Sequence, residues 1–309
     1  MPELPEVQTI VSDLNKKIIG DTIIDFWSDH KKSIKNKTLE NFRQEIKNRK
    51  IINARRIGKN IFIDLSGDKT LYMHLKMTGH LLVKPQIPIP PRWDKFQNFP
   101  HPPTPSPDGR GRGEGVKSYF DDRVNQYIHH IFYLKTGKTL EFSDLRKFAK
   151  IVLDDTRKIN ELKEIKALGA DALEEKFTLE KFEEILKKRK NTPIGIVLME
   201  QERISGIGNI YRSEILFEAG ILLQRKSGSI SAKERTKIYN SIKKVLEKAI
   251  KLRGTSDSDY RDTAGAPGNF QKALKVYRKD GAKCKKCGTI IKRIKMGQRS
   301  AFYCPNCQK

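Results

Sequence analysis

The sequence predicts an α+β protein of several domains, with antiparallel strands first, helices second and a small cysteine-stapled module last. Three observations predict it. Short β-branched and aromatic runs separated by turn residues fill much of the first half. A helical pattern takes over from residue 159. All four cysteines stand within 284–309, as two Cys-x-x-Cys pairs.

In chain order, a helix is expected near 5–18. Strands follow at 22–27, 51–57, 61–65 and 70–75, with Ser66-Gly67-Asp68 as a hairpin turn, and resume at 127–134, 139–142 and 148–153. Such runs joined by tight turns imply an N-terminal antiparallel β-sandwich or barrel over 1–155. Between the two strand sets lies 85–117, with Pro88-Ile89-Pro90-Pro91 and Gly109-Arg110-Gly111-Arg112-Gly113. That composition cannot bury a core, which predicts a mobile, extended insertion loop.

A helical domain is expected over 156–253. Thr178 caps a helix reaching 189, although Lys181 stands where a capping box wants an acid. Pro193 opens a second helix over 194–202. The turn Ser205-Gly206-Ile207-Gly208-Asn209 leads into a helix over 210–219, closed by Gly220. A long basic amphipathic helix spans 231–252, and 254–282 links it to the last module at 283–309.

Charge and cysteine spacing narrow the function. Lys and Arg number 62 against 37 acidic residues among 309, a net charge of +25. So large an excess fits a polyanion, hence DNA or RNA. No apolar run of 18 residues and no basic helix with aromatic anchors argues for a membrane, and no secretory signal is visible. A cytoplasmic protein is therefore expected. In a reducing compartment Cys284, Cys287, Cys304 and Cys307, spaced C-x2-C-x16-C-x2-C, read as a tetrahedral zinc site rather than as disulfides. Four thiolates leave no open position, so one zinc ion would be structural and would supply much of that module's stability.

The opening Met1-Pro2-Glu3-Leu4-Pro5-Glu6-Val7 carries the chemistry. With Met1 trimmed, Pro2 presents a secondary amine beside Glu3. An α-amino group titrates near ~8, so part of it is neutral and nucleophilic at physiological pH. A secondary amine attacking a sugar carbon can form an iminium, which acidifies the neighbouring C–H for elimination. The bland alternative is a frayed terminus followed by two surface glutamates.

Together the motifs MPELPEV at the start, RRIGKNIFIDL at 55–65, HLKMTG at 74–79, DLRKF at 144–148, ISGIGNIYRSEILFEAGI at 204–221, VYRKDG at 276–281 and QRSAFYCPNC at 298–307 resemble the formamidopyrimidine-DNA glycosylase family. The resemblance covers nearly the whole chain apart from 85–117. It implies a β-sandwich beside a helix–two-turn–helix domain, with a C-terminal zinc-finger hairpin. It implies a monomer acting in the cytoplasm, on the nucleoid, on double-stranded DNA that holds oxidised bases or abasic sites.

Roles follow residue by residue from the resemblance. Pro2 nitrogen attacks C1′ of a flipped nucleotide, and Glu3 is the proton donor that opens the sugar ring and assists base departure. Lys59 donates the proton in β-elimination and Arg299 in δ-elimination, and both contact phosphate. Glu6 orients the terminus or, equally, is an acid favoured at a helix N-terminus. His74, Asn209 and Tyr277 match further phosphate contacts; Asn209 can also cap its helix, whose amides could hold a phosphate. Met77, Arg146 and Phe148 fill the void left by the base, with Arg146 facing the widowed partner. Here Arg146-Lys147-Phe148 departs from the family's Arg-Arg-Phe at its middle position. The loop 253–270 would cover the flipped base. Two other readings stay open: an endonuclease VIII-like enzyme for oxidised pyrimidines, and a non-catalytic zinc-containing nucleic-acid-binding protein.

Overall fold

The computed structural model describes residues 1–85, 118–257 and 259–309; apart from Pro85, the expected insertion loop lies outside the described residues. Helix α1 (Leu4–Lys17) precedes β1 (Thr22–Ser28) and α2 (Leu39–Ile46). Then come β2 (Arg49–Ile57), β3 (Asn60–Leu65), β4 (Lys69–His74), β5 (His80–Lys84), β6 (Ile128–Leu134), β7 (Thr139–Ser143) and β8 (Lys150–Asp155). They hydrogen-bond in the order β5-β7-β6-β1-β2-β3-β4-β8, every pair antiparallel.

Alternation along the strands explains why this sheet folds over itself. Ile61 and Ile63 of β3 and Ile151 and Leu153 of β8 enter one core with Ile23, Phe26, Phe132 and Phe142 of β1, β6 and β7. Their neighbours Phe62 and Val152 point to the opposite face. There they are covered by Ile159 and Ile165, from α3 (Thr156–Asn160) and α4 (Lys163–Lys166). The two ends of the sheet thus enclose a shared interior, as a sandwich requires. Helix α1 seals it with Val7, Ile10, Val11 and Leu14, a spacing that places them on one helical face.

Some expected boundaries move. Helix α2 was not predicted; Thr38 caps it by accepting from Asn41 N at 3.2 Å, and Phe42 and Ile46 are buried. The last strand begins at Lys150 rather than 148, which leaves Phe148 in a loop.

In the second half, β9 (Ala170–Asp171) pairs in parallel with β10 (Ile204–Ser205). Thr178 caps α5 (Leu179–Lys188) through Lys181 N. Helix α6 covers only Ile194–Val197, not the predicted 194–202. The reason is local: the Gln201 carboxamide donates to Met199 O and Ile207 O and accepts from Gly206 N, gathering the chain into a turn. Helix α7 (Asn209–Ala219) ends at Gly220, whose φ of +74° favours glycine. Ser231 and Glu234 form a capping box on α8 (Ala232–Lys251).

The final module is the hairpin β11 (Lys292–Met296) and β12 (Arg299–Tyr303). Its Met296, Ala301, Phe302 and Cys304 share a core with the helices and with Leu4. The module therefore has apolar support besides its metal, more than its short length predicts. No helix among the described residues is long and apolar enough to cross a membrane.

Candidate active site

The chain start is docked against the second domain. Leu4 N donates to Gly206 O at 3.0 Å, and the Leu4 side chain lies where a Cβ on Gly206 would fall, 2.5 Å from its Cδ1. Gly206 also has φ +103°, so glycine is required there twice over. One residue back, the Glu3 carboxylate accepts from Ile210 N at 2.9 Å and Tyr211 N at 3.3 Å, at the first turn of α7. A Cβ on Gly208 would meet that carboxylate at 2.4 Å. The helix dipole and two amides hold the charge of a side chain that is only 3% exposed.

This corrects two expectations. The amides of Ile210 and Tyr211 serve Glu3 rather than being left for a phosphate. Gly208, not Asn209, is the N-cap, and Asn209 makes no cap. Its Oδ1 accepts from the Arg212 guanidinium at 2.5 Å instead.

Glu6 is tied to the chain start and to two further segments. Its Oε2 accepts from Glu3 N at 2.7 Å, while Oε1 accepts from Tyr211 Oη at 2.5 Å and Thr255 N at 2.7 Å. Burial, then the nearby Glu3 charge, pushes its pKa up to about 7. Tyr211 and Thr255 were not singled out from sequence; no motif reading marks a residue whose only task is to hold another carboxylate. The amino group on Met1 is pushed below its ordinary value by burial, against the pull of Glu3 and Glu6. An amine at this place is kept neutral more readily than one in water.

Lys59 enters from the turn between β2 and β3. Gly58 takes φ +58° there and packs against Ser205, while Asp171 accepts from Gly58 N at 2.7 Å and pairs with Arg56. Asp171, on β9, thus fixes the turn from the other domain, another partner that sequence missed. Lys59 Nζ donates to Ile207 O at 2.8 Å, and burial lowers its pKa despite Glu3 nearby. Pro2, Glu3, Lys59, Met77, Asn209, Tyr277 and Arg299 all line one cleft of ≈ 340 Å³. Arg299 reaches it from the start of β12.

His74 ends β4 beside this group. Its Nδ1 accepts from Lys76 N at 2.9 Å, and burial followed by Lys76, Lys59 and Lys150 pushes its pKa down to about 4. It is a neutral imidazole whose Nε2 carries the proton. Tyr277 packs edge-on against Phe302 at 5.2 Å and is buried near Arg299.

Met77, Arg146 and Phe148 converge on two neighbouring loop tips. The Arg146 guanidinium lies 4.7 Å from the Phe148 ring centre and 3.0 Å from Met77 Sδ. Both apolar members are in solvent, Met77 at 43% and Phe148 at 53% exposed. Asp144 holds the tip: it accepts from Thr78 Oγ1 and from Ala149 N. Lys147, the departing middle residue, takes φ +57°. Leu145, 45% exposed, joins this apolar set without having been predicted.

The segment 253–270 is tied down at several points. Gly254 (φ +78°) lies against Glu6, Arg253 pairs with Asp13 and Asp262, and Thr263 O accepts from Val83 N. The segment is thereby anchored on the sandwich, with Thr255 and Asp257 lining the cavity.

The cysteines fit a metal. The four Sγ atoms lie within 4.8 Å of one another, with Cys284 and Cys307 at 3.9 Å and Cys287 and Cys304 at 3.4 Å. A tetrahedron with metal–sulfur bonds of ~2.3 Å has edges of ~3.8 Å. Lys286 N and Cys307 N each donate to a cysteine sulfur at 3.4 Å, as knuckle turns do. One structural zinc ion, held by Cys284, Cys287, Cys304 and Cys307, orders the hairpin that carries Arg299.

Residues 1–151 match the Formamidopyrimidine-DNA glycosylase N-terminal domain, 168–260 the Formamidopyrimidine-DNA glycosylase H2TH domain and 281–309 the zinc finger found in FPG and IleRS. The chain is 36% identical to the formamidopyrimidine-DNA glycosylase of Carboxydothermus hydrogenoformans, covering 100% of both. It is 35% identical to that of Pelotomaculum thermopropionicum, covering 100% of this chain and 99% of the other. Among solved structures it is similar to Lactococcus lactis Fpg bound to abasic-site DNA (TM-score 0.80, 28% identity, 99% of each chain). The same holds for that protein with FAPY-dG DNA (TM-score 0.79, 28% identity, 99% of this chain and 100% of that one). By full-length similarity and by all three matched domains, the chain belongs to the formamidopyrimidine-DNA glycosylase family.

Proposed function

We propose that this protein excises oxidised purines, 8-oxoguanine and formamidopyrimidines, from duplex DNA and nicks the abasic site through an imine on Pro2. The observation that carries this reading is Glu3. Its carboxylate is fixed on α7 directly beside the residue whose nitrogen becomes the terminus once Met1 is removed.

The steps balance as follows. Pro2 nitrogen forms a bond to C1′ as the C1′–base bond breaks; the base takes a proton from solvent, and the proton that the amine loses passes to the Glu3 carboxylate. Glu3 delivers a proton to the ring oxygen, the ring opens and an iminium forms. Loss of a C2′ proton to solvent expels the 3′ phosphate, and loss of a C4′ proton to solvent in a second elimination expels the 5′ phosphate. Lys59 and Arg299, which line the same cleft, supply protons for the two eliminations. His74, Asn209 and Tyr277 grip phosphates, while Met77, Arg146 and Phe148 fill the gap.

In this reading 1–155 is the catalytic sandwich, 156–253 the helix–two-turn–helix domain, 254–282 the cover and linker, and 283–309 the zinc finger. The protein acts as a monomer on the nucleoid. A second reading, excision of oxidised pyrimidines, draws on the similarity to Lactococcus lactis Fpg in complex with DNA containing an oxidised pyrimidine.

Borohydride trapping on a duplex with 8-oxoguanine opposite cytosine, with the adduct mapped by mass spectrometry, tests the proposal. An adduct on Pro2 is expected. No adduct from protein lacking Met1 would overturn it, and trapping on a matched thymine glycol duplex alone would favour the pyrimidine reading.

A further inference from the structure

Gln201 lines the cleft together with Pro2, Glu3 and Lys59, yet it has no part in the steps above. Every polar group of its carboxamide is engaged. Nε2 donates to Met199 O at 2.9 Å and to Ile207 O at 2.8 Å, and Oε1 accepts from Gly206 N at 3.1 Å. Both nitrogen partners are carbonyls and the oxygen partner is an amide, so chemistry fixes which way the side chain points. Its backbone is held too, since Gln201 O accepts from Gly169 N at 2.9 Å, just before β9.

One of these bonds bears on Lys59. Ile207 O also accepts from Lys59 Nζ at 2.8 Å. A carbonyl oxygen has two lone pairs, and here one serves the carboxamide and the other the ammonium. Lys59 is 7% exposed, and among the described residues Ile207 O is the one hydrogen-bond acceptor that its ammonium meets. A buried cation is costly unless hydrogen bonds hold it, so its place depends on where that carbonyl points. Ile207 stands between Gly206 and Gly208, whose backbones are the least restrained of any residue type. Gln201 removes that freedom by binding Gly206 N and Ile207 O at once. The charged groups around Lys59 are Glu3 and Glu6 at the chain start, which favour its charge, and Arg299 of β12, which opposes it.

We infer that Gln201 is a positioning residue for Lys59: by holding the Ile207 carbonyl in place, it fixes the ammonium at the cleft with two N–H donors left for the sugar-phosphate. Gln201 acts only through that carbonyl, its own donors and acceptor being used up. The inference rests on the reading of Lys59 as the proton donor in the first elimination.

The test is single-turnover strand scission of a duplex with a preformed abasic site, by the full-length, zinc-loaded protein lacking Met1, followed against pH. The wild-type rate should fall at high pH as Lys59 gives up its proton, and Lys59→Met should slow scission and remove that alkaline limb. Gln201→Ala frees the carbonyl. Scission should slow on the order of tenfold, as loss of a hydrogen bond to a charged group does, and the limb should move to lower pH. Gln201→Glu places a carboxylate beside the ammonium, so the limb should move to higher pH. That variant keeps an acceptor for Gly206 N, and it carries the test should Gln201→Ala fail to fold. In the Lys59→Met background neither change at Gln201 should slow scission further. Limbs that stay at the wild-type pH, or losses that multiply with Lys59→Met, would overturn the inference and leave Gln201 as a structural clamp on the turn. If the wild-type protein does not cut this duplex, or Lys59→Met cuts it at the wild-type rate, the reading of the site itself fails instead.

Discussion

At the junction of α1 and α7, Glu3, Glu6 and Lys59 are 3%, 1% and 7% exposed; at the loop tips, Met77, Leu145 and Phe148 are 43%, 45% and 53% exposed. One region hides charge and the other shows apolar surface to water. The junction meets the cost of buried charge with hydrogen bonds: each carboxylate accepts from at least two donors, and Lys59 donates to a carbonyl. The tips have no such compensation. Their apolar area is stabilised only if something covers it, and a gap between stacked bases would do so. The junction is therefore satisfied as it stands, whereas the tips leave apolar area uncovered. Effects at the junction should appear in reaction rate and in stability, and effects at the tips in recognition alone.

The largest expected effect is on rate. Glu3→Gln keeps the shape and one acceptor for the α7 amides but removes the acid. Excision should fall by roughly 10²–10⁴-fold, the span of a general acid's contribution, with DNA binding retained. A variant that excises 8-oxoguanine at the wild-type rate would reduce Glu3 to a cap on α7, and the junction would be merely structural.

Glu6 sharpens the comparison through pH. Its folded pKa of about 7 lies above the ordinary 4.5. The folded state therefore binds more protons than the unfolded state between these values. The stabilising contribution of protonated Glu6 is fully present below pH 4.5 and is lost as pH rises through 7. Complete loss is worth about 3 kcal/mol. The proton has a place to go: Glu6 can donate to Tyr211, whose hydroxyl lies 3.0 Å from Thr255 Oγ1. Urea unfolding between pH 4.5 and 8 should show this slope, and Glu6→Gln should flatten it. An unchanged slope in the variant would assign the pH dependence to other groups.

How far sequence reached into each region differs for a physical reason. Pro2 and Glu3 stand in the opening motif before α1, and Lys59 and the four cysteines sit in motifs at turns, so local pattern locates them. The sandwich was legible because short β-branched and aromatic runs such as 61–65 and 70–75 are separated by turn residues such as Ser66-Gly67-Asp68. Tyr211, Thr255 and Asp171 were not legible, because their work is to satisfy a group far away in the chain, 205, 249 and 113 residues from their partners. Asn209 looked like a cap from its neighbours, yet the Arg212 guanidinium one turn later takes its oxygen. The shortening of α6 had the same origin, in Gln201 turning back on Ile207.

The smallest effect on the fold is expected at the tips, and that smallness is itself the discriminating result. Phe148 rests on Arg146 through its ring face and otherwise meets solvent, so Phe148→Ala removes little buried area. Unfolding free energy should change by no more than about 0.5 kcal/mol, as for other surface substitutions. Arg146→Ala should be equally mild, since Asp144 holds this loop through Thr78 Oγ1 and backbone amides rather than through the Arg146 side chain. In DNA the same two changes should not be mild. Phe148→Ala loses apolar contact inside the helix, and Arg146→Ala loses donors to the widowed base, each worth about 1–3 kcal/mol. Arg146→Ala should level the rates on 8-oxoguanine opposite cytosine and opposite other bases, while Phe148→Ala should slow all of them together. A Phe148→Ala protein that unfolds several kcal/mol more easily would mean that the ring belongs to a core, and the contrast between the two regions would collapse.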